Sequence, residues 1–153
     1  MLKTQDQDLI QHCHLRVSTD LNETAKVLKW FEQFQYHQIT ADLRLRAQIV
    51  LVEGFTNAVR HAHQYRSKDT PIDIDMNLFS YQLEICIWDS GEPFDFETFI
   101  DKVDADVNPQ DREAHWGGTI FRNLSLKYGW TIQYWCTNIS SDDRNCLKIQ
   151  MPL

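Results

Sequence analysis

Apolar positions fall into two rhythms along this chain, and the switches between them predict its elements. IQHCHLRVS (10–18) alternates loosely and reads as a strand. Asp20 with Glu23 resembles a helix-entry signal, and LNETAKVLKWFEQFQYH (21–37) has the period of an amphipathic helix. A second helix begins near Thr40 and runs to about His63. PIDIDMNLFS (71–80) alternates Ile72, Ile74, Met76 and Leu78, and YQLEICIW (81–88) repeats the pattern with Leu83, Ile85 and Ile87, so the two predict a hairpin. GGTIFRNLSLKYG (117–129) reads as a glycine-led helix that stops at Gly129. WTIQYWC (130–136) and CLKIQMPL (146–153) predict a final hairpin. The order β-α-α-β-β-α-β-β implies an α+β fold: a two-layer α/β sandwich with helices on one face of a mixed, mostly antiparallel sheet.

One stretch has neither rhythm. From Gly91 to Gly118 the chain holds Pro93, Pro109 and many acids, with only FETFIDKV as a plausible short helix. Between 89 and 113 there are nine acidic residues against two basic ones. A connection that long inside a compact domain is a functional lid or a solvated loop, and periodicity does not choose between them. With 153 residues and no dividing linker, residues 1–153 read as a single domain. No run of about 18 apolar residues is present, and MLKTQDQDLIQ has no apolar core of a signal peptide, so neither membrane nor secretion is expected. Cysteines 13, 86, 136 and 146 form no CxxC pair, which fits a reduced, cytoplasmic setting. Cys86 and Cys136 lie in apolar runs, as do Trp88, Trp130 and Trp135, and all five are expected in the core. The net charge of −7 argues against direct nucleic-acid binding.

Candidate chemistry concentrates in LVEGFTNAVRHAHQ (51–64), where Glu53, Asn57 and His61 stand four residues apart. On a helix these differ by about 40° per step and make one slanted polar stripe. Leu45, Ile49, Val52 and Val59 make a second stripe and Leu51, Phe55, Ala58 and Ala62 a third, so the helix is expected to pack against more than one neighbour. A carboxylate and an amide in such a helix either reach solvent or face a ligand. An amide oxygen suits Mg²⁺, and a carboxylate can take a proton from an attacking hydroxyl. Asp89 follows an apolar strand directly, with Gly91 two positions on. A carboxylate there can read an exocyclic amine, and a glycine admits a flat ring. WGGT before a helix offers free backbone N–H groups to a phosphate. His12 and His14 share a strand face but lack a third ligand at a recognisable spacing.

The ordered set resembles the gyrase/histidine-kinase-like (GHKL) ATPases over nearly the whole chain. Glu53-x-x-x-Asn57-Ala58-x-x-His61-Ala62 looks like their N box, Asp89-x-Gly91 with Pro93-Phe94-Asp95 like the G1 box, and Gly117-Gly118 entering a helix like a G2 box. Length and the form of the N box are most similar to the anti-sigma-factor serine/threonine kinases. That resemblance implies a Bergerat-type ATP-binding fold, with ATP and Mg²⁺ as cofactors. Glu53 would be the general base, and Asn57 would hold Mg²⁺. Asp89 would accept from the adenine amine, with Gly91 packed against the base. His61 would support the site or close the helix. An ATP lid would span about 92–116, and Gly117, Gly118 and Thr119 would meet phosphate. Implied partners are a sigma factor and an anti-anti-sigma (STAS-domain) protein substrate, and the implied assembly is a homodimer. Two departures stand out: His115 occupies a place where the G2 box usually has glycine, and SSDDRNCLKI lacks the Gly-Thr often found before the last strand. A non-catalytic sequestration module of the same fold, or a detached histidine-kinase ATPase domain, are the rival readings.

Overall fold

The period-2 runs become a five-stranded sheet whose inner face is mainly aliphatic, with a buried polar group at Asp89. The computed structural model describes residues 9–36, 38–92, 112–137 and 143–153. In chain order it contains β1 (Leu9–Val17), a 3-10 turn (Leu21–Glu23), α1 (Thr24–Glu32), α2 (Ala41–Asn57), which runs on into a π turn (Ala58–Ala62), β2 (Ile72–Phe79), β3 (Gln82–Asp89), α3 (Arg112–Tyr128), β4 (Thr131–Thr137) and β5 (Arg144–Pro152). Strand order is β1-β2-β3-β5-β4, and every pairing is antiparallel, so the sheet is not mixed as expected. The fold is α+β, with the three helices on one side.

Ile72, Ile74, Met76 and Leu78 from β2, Leu83, Ile85 and Ile87 from β3, and Leu147, Ile149 and Met151 from β5 pack in one cluster with Val27, Phe31, Val50, Leu51, Phe55, Phe121 and Trp130. Each fully buried aliphatic or aromatic side chain contributes about 1.5–3 kcal/mol relative to exposure. The first helix begins as the sequence predicts, with Asp20 accepting from the Asn22 N–H at 2.9 Å, but it ends at Glu32. Beyond it the chain folds back to bury Phe34, and the Tyr36 hydroxyl donates to the Phe31 carbonyl at 2.7 Å. The Phe31–Tyr36 and Phe34–Tyr36 rings, both 5.1 Å apart, repay the broken helix with aromatic packing.

The opposite face of the sheet is polar and structural. Asp73 accepts from Arg16 Nε (2.8 Å) and Arg144 Nη2 (2.6 Å), and Trp88 Nε1 donates to Asp75 at 3.2 Å. His14 bonds Asp75 through Nδ1 at 2.8 Å on this face, and no group of three or more metal-ligating side chains occurs among the described residues. Trp88 and Trp135 meet edge-on across it, half-buried, so of the three strand tryptophans only Trp130 belongs to the core. Cys86 is buried as expected, whereas Cys136 is exposed on the edge strand β4. No described helix is long and apolar enough to cross a membrane. The FETFIDKV segment and most of the expected lid (93–111) lie outside the described residues.

Candidate functional site

Helix α2 is positioned by a cap and a glycine. Thr40 Oγ1 accepts from the Leu43 N–H at 3.2 Å, satisfying one of the orphan donors of the first turn. Ala47, Val50, Leu51, Gly54 and Phe55 form its buried side. Gly54 lets the helix lie close to the sheet: a Cβ there would run into Ile87 Cδ1 and stand 3.2 Å from Leu147 Cδ2. The expected second stripe is covered only in part: Val52 is half-buried and Val59 packs against the core, while Leu45 and Ile49 are exposed, Ile49 lining an apolar groove with Ile120 and Leu124 of α3.

Glu53 and Asn57 flank the buried stripe, one turn apart and each half-buried. Neither side chain has a hydrogen-bond partner among the described residues. Burial pushes the Glu53 carboxyl above its ordinary value, and the charge of Arg60 offsets part of that rise. After Asn57 the helix widens: the His63 N–H reaches back five residues to the Ala58 carbonyl at 2.9 Å. Such π turns insert a residue into the helical phase and recur at functional sites. Here the shift leaves His61 exposed and turns His63 inward to 2% exposure. The four-residue stripe therefore covers Glu53 and Asn57 but does not carry His61 into the interior.

Asp89 ends β3 on the helix side of the sheet and is buried. Its Oδ1 accepts from the Gly91 N–H (2.9 Å) and Asn145 Nδ2 (2.8 Å), and its Oδ2 accepts from the Tyr134 hydroxyl (3.0 Å). Asn145 Nδ2 also donates to the Gly91 carbonyl at 2.9 Å. A carboxylate accepts about four hydrogen bonds, so one acceptor direction remains for a ligand amine. Burial and the neighbouring Asp89 push the Tyr134 phenol pKa up, which keeps it a neutral donor. Gly91 is seated on the end of the α2 helix: a Cβ there would strike the Ala62 carbonyl oxygen and lie 2.8 Å from its carbon. The Ser90 N–H donates to His63 Nε2 at 2.8 Å. These two contacts join the helix carrying Glu53 and Asn57 to the turn carrying Asp89.

The third predicted feature is placed differently. Helix α3 starts at Arg112, so Gly117 and Gly118 lie inside it and do not open it, and Thr119 follows them in the same helix. The four N–H groups without intrahelical acceptors belong to the turn at Arg112. Glu113 and Ala114 are good helix formers, and two interior glycines cost about 1 kcal/mol each, a loss the packed helix absorbs. Tyr128 lies under Arg46 at 3.7 Å, while Ile120 adjoins Ile49. The helices thus run antiparallel, and α3 begins toward the Asn57 end of α2.

Sequence reasoning missed Asn145, Tyr134 and His63. Alternation with Ile132 puts Tyr134 on the inner face and could have found it. Asn145 stands in the very segment noted for lacking Gly-Thr, and it supplies two hydrogen bonds to the Asp89 turn. A family model described as "Histidine kinase-like ATPase domain" matches residues 17–149. The chain is 33% identical over 69 residues to serine-protein kinase RsbW of Staphylococcus aureus, strains bovine RF122 / ET3-1 and MRSA252. Each alignment covers 45% of this chain and 41% of the relative, so the match spans less than half of those relatives' length. Among solved structures, the catalytic domain of histidine kinase ThkA aligns with a TM-score of 0.49 and 18% identity, over 94% of this chain and 97% of that one.

Proposed function

This chain belongs to the histidine kinase-like ATPase domain family, and from that premise we propose that it is an ATP-dependent serine/threonine protein kinase of the anti-sigma-factor type. One observation carries the proposal: Glu53 and Asn57 stand a turn apart, half-buried, with no hydrogen-bond partner for either side chain among the described residues. An amide oxygen suits Mg²⁺ and a carboxylate can take a proton, so the two left open side by side fit a nucleotide with its metal. ATP would supply the transferable phosphoryl group and Mg²⁺ would neutralise its charge.

In this reading the Asn57 carbonyl oxygen holds Mg²⁺, and the Asp89 carboxylate accepts from the adenine amine. Glu53 takes the proton of the attacking serine hydroxyl, and its raised pKa makes the carboxylate a stronger base for that step. His61 stands at the exposed rim, and residues 92–116 close over the nucleotide. Gly117, Gly118 and Thr119 meet the phosphates, which requires the turn from Arg112 to unwind when nucleotide enters. The substrate is an anti-anti-sigma (STAS-domain) protein and the alternate partner a sigma factor, with a homodimer as the working assembly.

The second reading is a sequestration module without transferase activity, favoured by the helical placement of Gly117 and Gly118. Radiolabelled ATP with Mg²⁺ and a STAS-domain protein separates the two. Labelling of serine or threonine is expected, and Glu53→Ala should abolish it while calorimetric ATP binding persists. Unchanged labelling in Glu53→Ala refutes the general-base role. Absence of any nucleotide affinity in the wild type leaves sequestration as the function.

A further inference from the structure

His63 has no part in the chemistry above, yet it is the most enclosed imidazole among the described residues. Its ring joins three segments of chain. The Ser90 N–H points at Nε2 (2.8 Å), so that nitrogen carries the lone pair. Thr19 Oγ1 lies 2.7 Å from Nδ1 and donates its own proton to the Thr70 carbonyl at 2.6 Å. A hydroxyl has one proton to give, so towards His63 it accepts, and Nδ1 bears the hydrogen. Both sides of the ring assign the same tautomer independently. The Thr19 N–H is in turn anchored to the Lys68 carbonyl at 2.9 Å, which fixes the far end of the chain of bonds.

We propose that His63 is a positioning residue: as a neutral Nδ1–H imidazole it clamps the Asp89–Gly91 turn to the end of the α2 helix, and its protonation releases that turn and weakens nucleotide binding. This rests on the nucleotide-binding reading of Asp89. A second ring proton would set N–H against the Ser90 N–H, replacing a hydrogen bond with two opposed donors. The effect reaches Asp89 in one step, because the Gly91 N–H donates to its Oδ1. Gly91 cannot settle closer to the helix in compensation, since Ala62 already fills the space where a side chain would be.

The charged groups around the ring are Asp89 at the end of β3, Arg66 beyond the π turn and Arg144 on β5. Burial disfavours the imidazolium most strongly and Asp89 favours it, while both arginines oppose it, so the pKa falls below the usual 6.5. The ring is neutral at physiological pH and charges only on the acid side.

The test begins with imidazole ¹⁵N NMR of the ligand-free full chain. At pH 7.5 a protonated Nδ1 and a bare Nε2 are expected, and the Ser90 amide shift should follow the His63 titration. An Nε2–H tautomer, or a Ser90 amide indifferent to that titration, overturns the clamp. The functional arm measures Mg²⁺–ADP affinity by calorimetry in wild type and His63→Gln at pH 7.5 and at an acid pH one unit below the His63 midpoint that the NMR titration reads. Glutamine can accept from Ser90 and donate to Thr19 but does not titrate. It should bind within about threefold of wild type at pH 7.5 and at least about fivefold tighter than wild type at the acid pH, where the wild-type ring is about nine-tenths charged, each tenfold being about 1.4 kcal/mol. ADP titrates identically in both, so an unchanged ratio between the two pH values overturns the coupling. Should neither protein bind ADP, the nucleotide reading and the coupling fail together, and the NMR arm alone decides the clamp.

Discussion

Replacing Gly91 by alanine tests the joint between helix and turn at its tightest point. The new Cβ would overlap the Ala62 carbonyl oxygen and stand 2.8 Å from its carbon and 2.9 Å from its Cα. Carbon pairs prefer about 3.5–4.0 Å, so something must move by roughly 1 Å. All three opposing atoms are backbone, held by the π turn through the His63 N–H to the Ala58 carbonyl, so no rotamer change relieves the clash. Overpacking of this kind costs about 1–3 kcal/mol. Displacing the turn also breaks Ser90 N–H to His63 and Gly91 N–H to Asp89, about 1 kcal/mol each. The sum is about 3–5 kcal/mol, or roughly 10 °C in Tm for a domain of this size. Urea unfolding followed by circular dichroism measures it, with Gly129→Ala as the control. Gly129 has φ +66 with nothing within 4 Å of an added Cβ, so alanine there meets only left-handed backbone strain of about 1–2 kcal/mol. A Gly91→Ala loss no larger than that of Gly129→Ala refutes the seating of the turn on the helix.

Asp73→Asn removes the charge shared by Arg16 and Arg144 and should destabilise the fold near neutral pH, by an amount that solvent around the exposed Arg16 reduces. Burial alone would raise the Asp73 pKa, but the two arginines outweigh it and hold the carboxyl below 3.8, so this stability is present above 3.8 and lost as pH falls through the lower folded value. The stability gap between the two proteins should narrow as pH falls below 3.8, and a gap that stays constant through that acid range refutes the charge-based account. Asn145→Ala strips Asp89 Oδ1 and the Gly91 carbonyl of one donor each, with an expected loss of about 1–3 kcal/mol and several-fold weaker ATP binding; undiminished affinity by calorimetry would remove Asn145 from the site. Glu53 has the opposite sign from Asp73: its folded pKa is raised, chiefly by burial, so the protonated form favours folding at low pH and that stability is lost as pH rises through the folded value. Glu53→Gln should therefore be more stable than wild type at pH 8 and indistinguishable from it well below 4.5, and equal stability at pH 8 would deny the buried setting of the carboxylate.

What the sequence reveals here follows the range over which each interaction acts. Alternation at Ile72, Ile74, Met76 and Leu78 reports a face directly, because side-chain parity in a strand is local, and both hairpins were legible from it. The pairing of β3 with β5 joins segments about sixty residues apart, and nothing local distinguishes its antiparallel sense from a parallel one. Apolar periodicity likewise marked Leu45 and Ile49 as a stripe but could not say whether a neighbour covers them. Glu53 and Asn57 were readable because regular helix carries the pattern as far as Asn57. One residue later the i→i−5 bond at Ala58 changes the phase, which exposes His61 and hides His63, and a fixed four-residue spacing has no means of registering that change. The Asp89 hub fails for a third reason: Asn145 reaches it from 56 residues away and Tyr134 from 45, as polar groups in otherwise ordinary strands. Hydrogen-bond saturation of a buried carboxylate is a property of the assembled sheet end, so the residues that orient Asp89 become visible only once β3, β4 and β5 lie side by side.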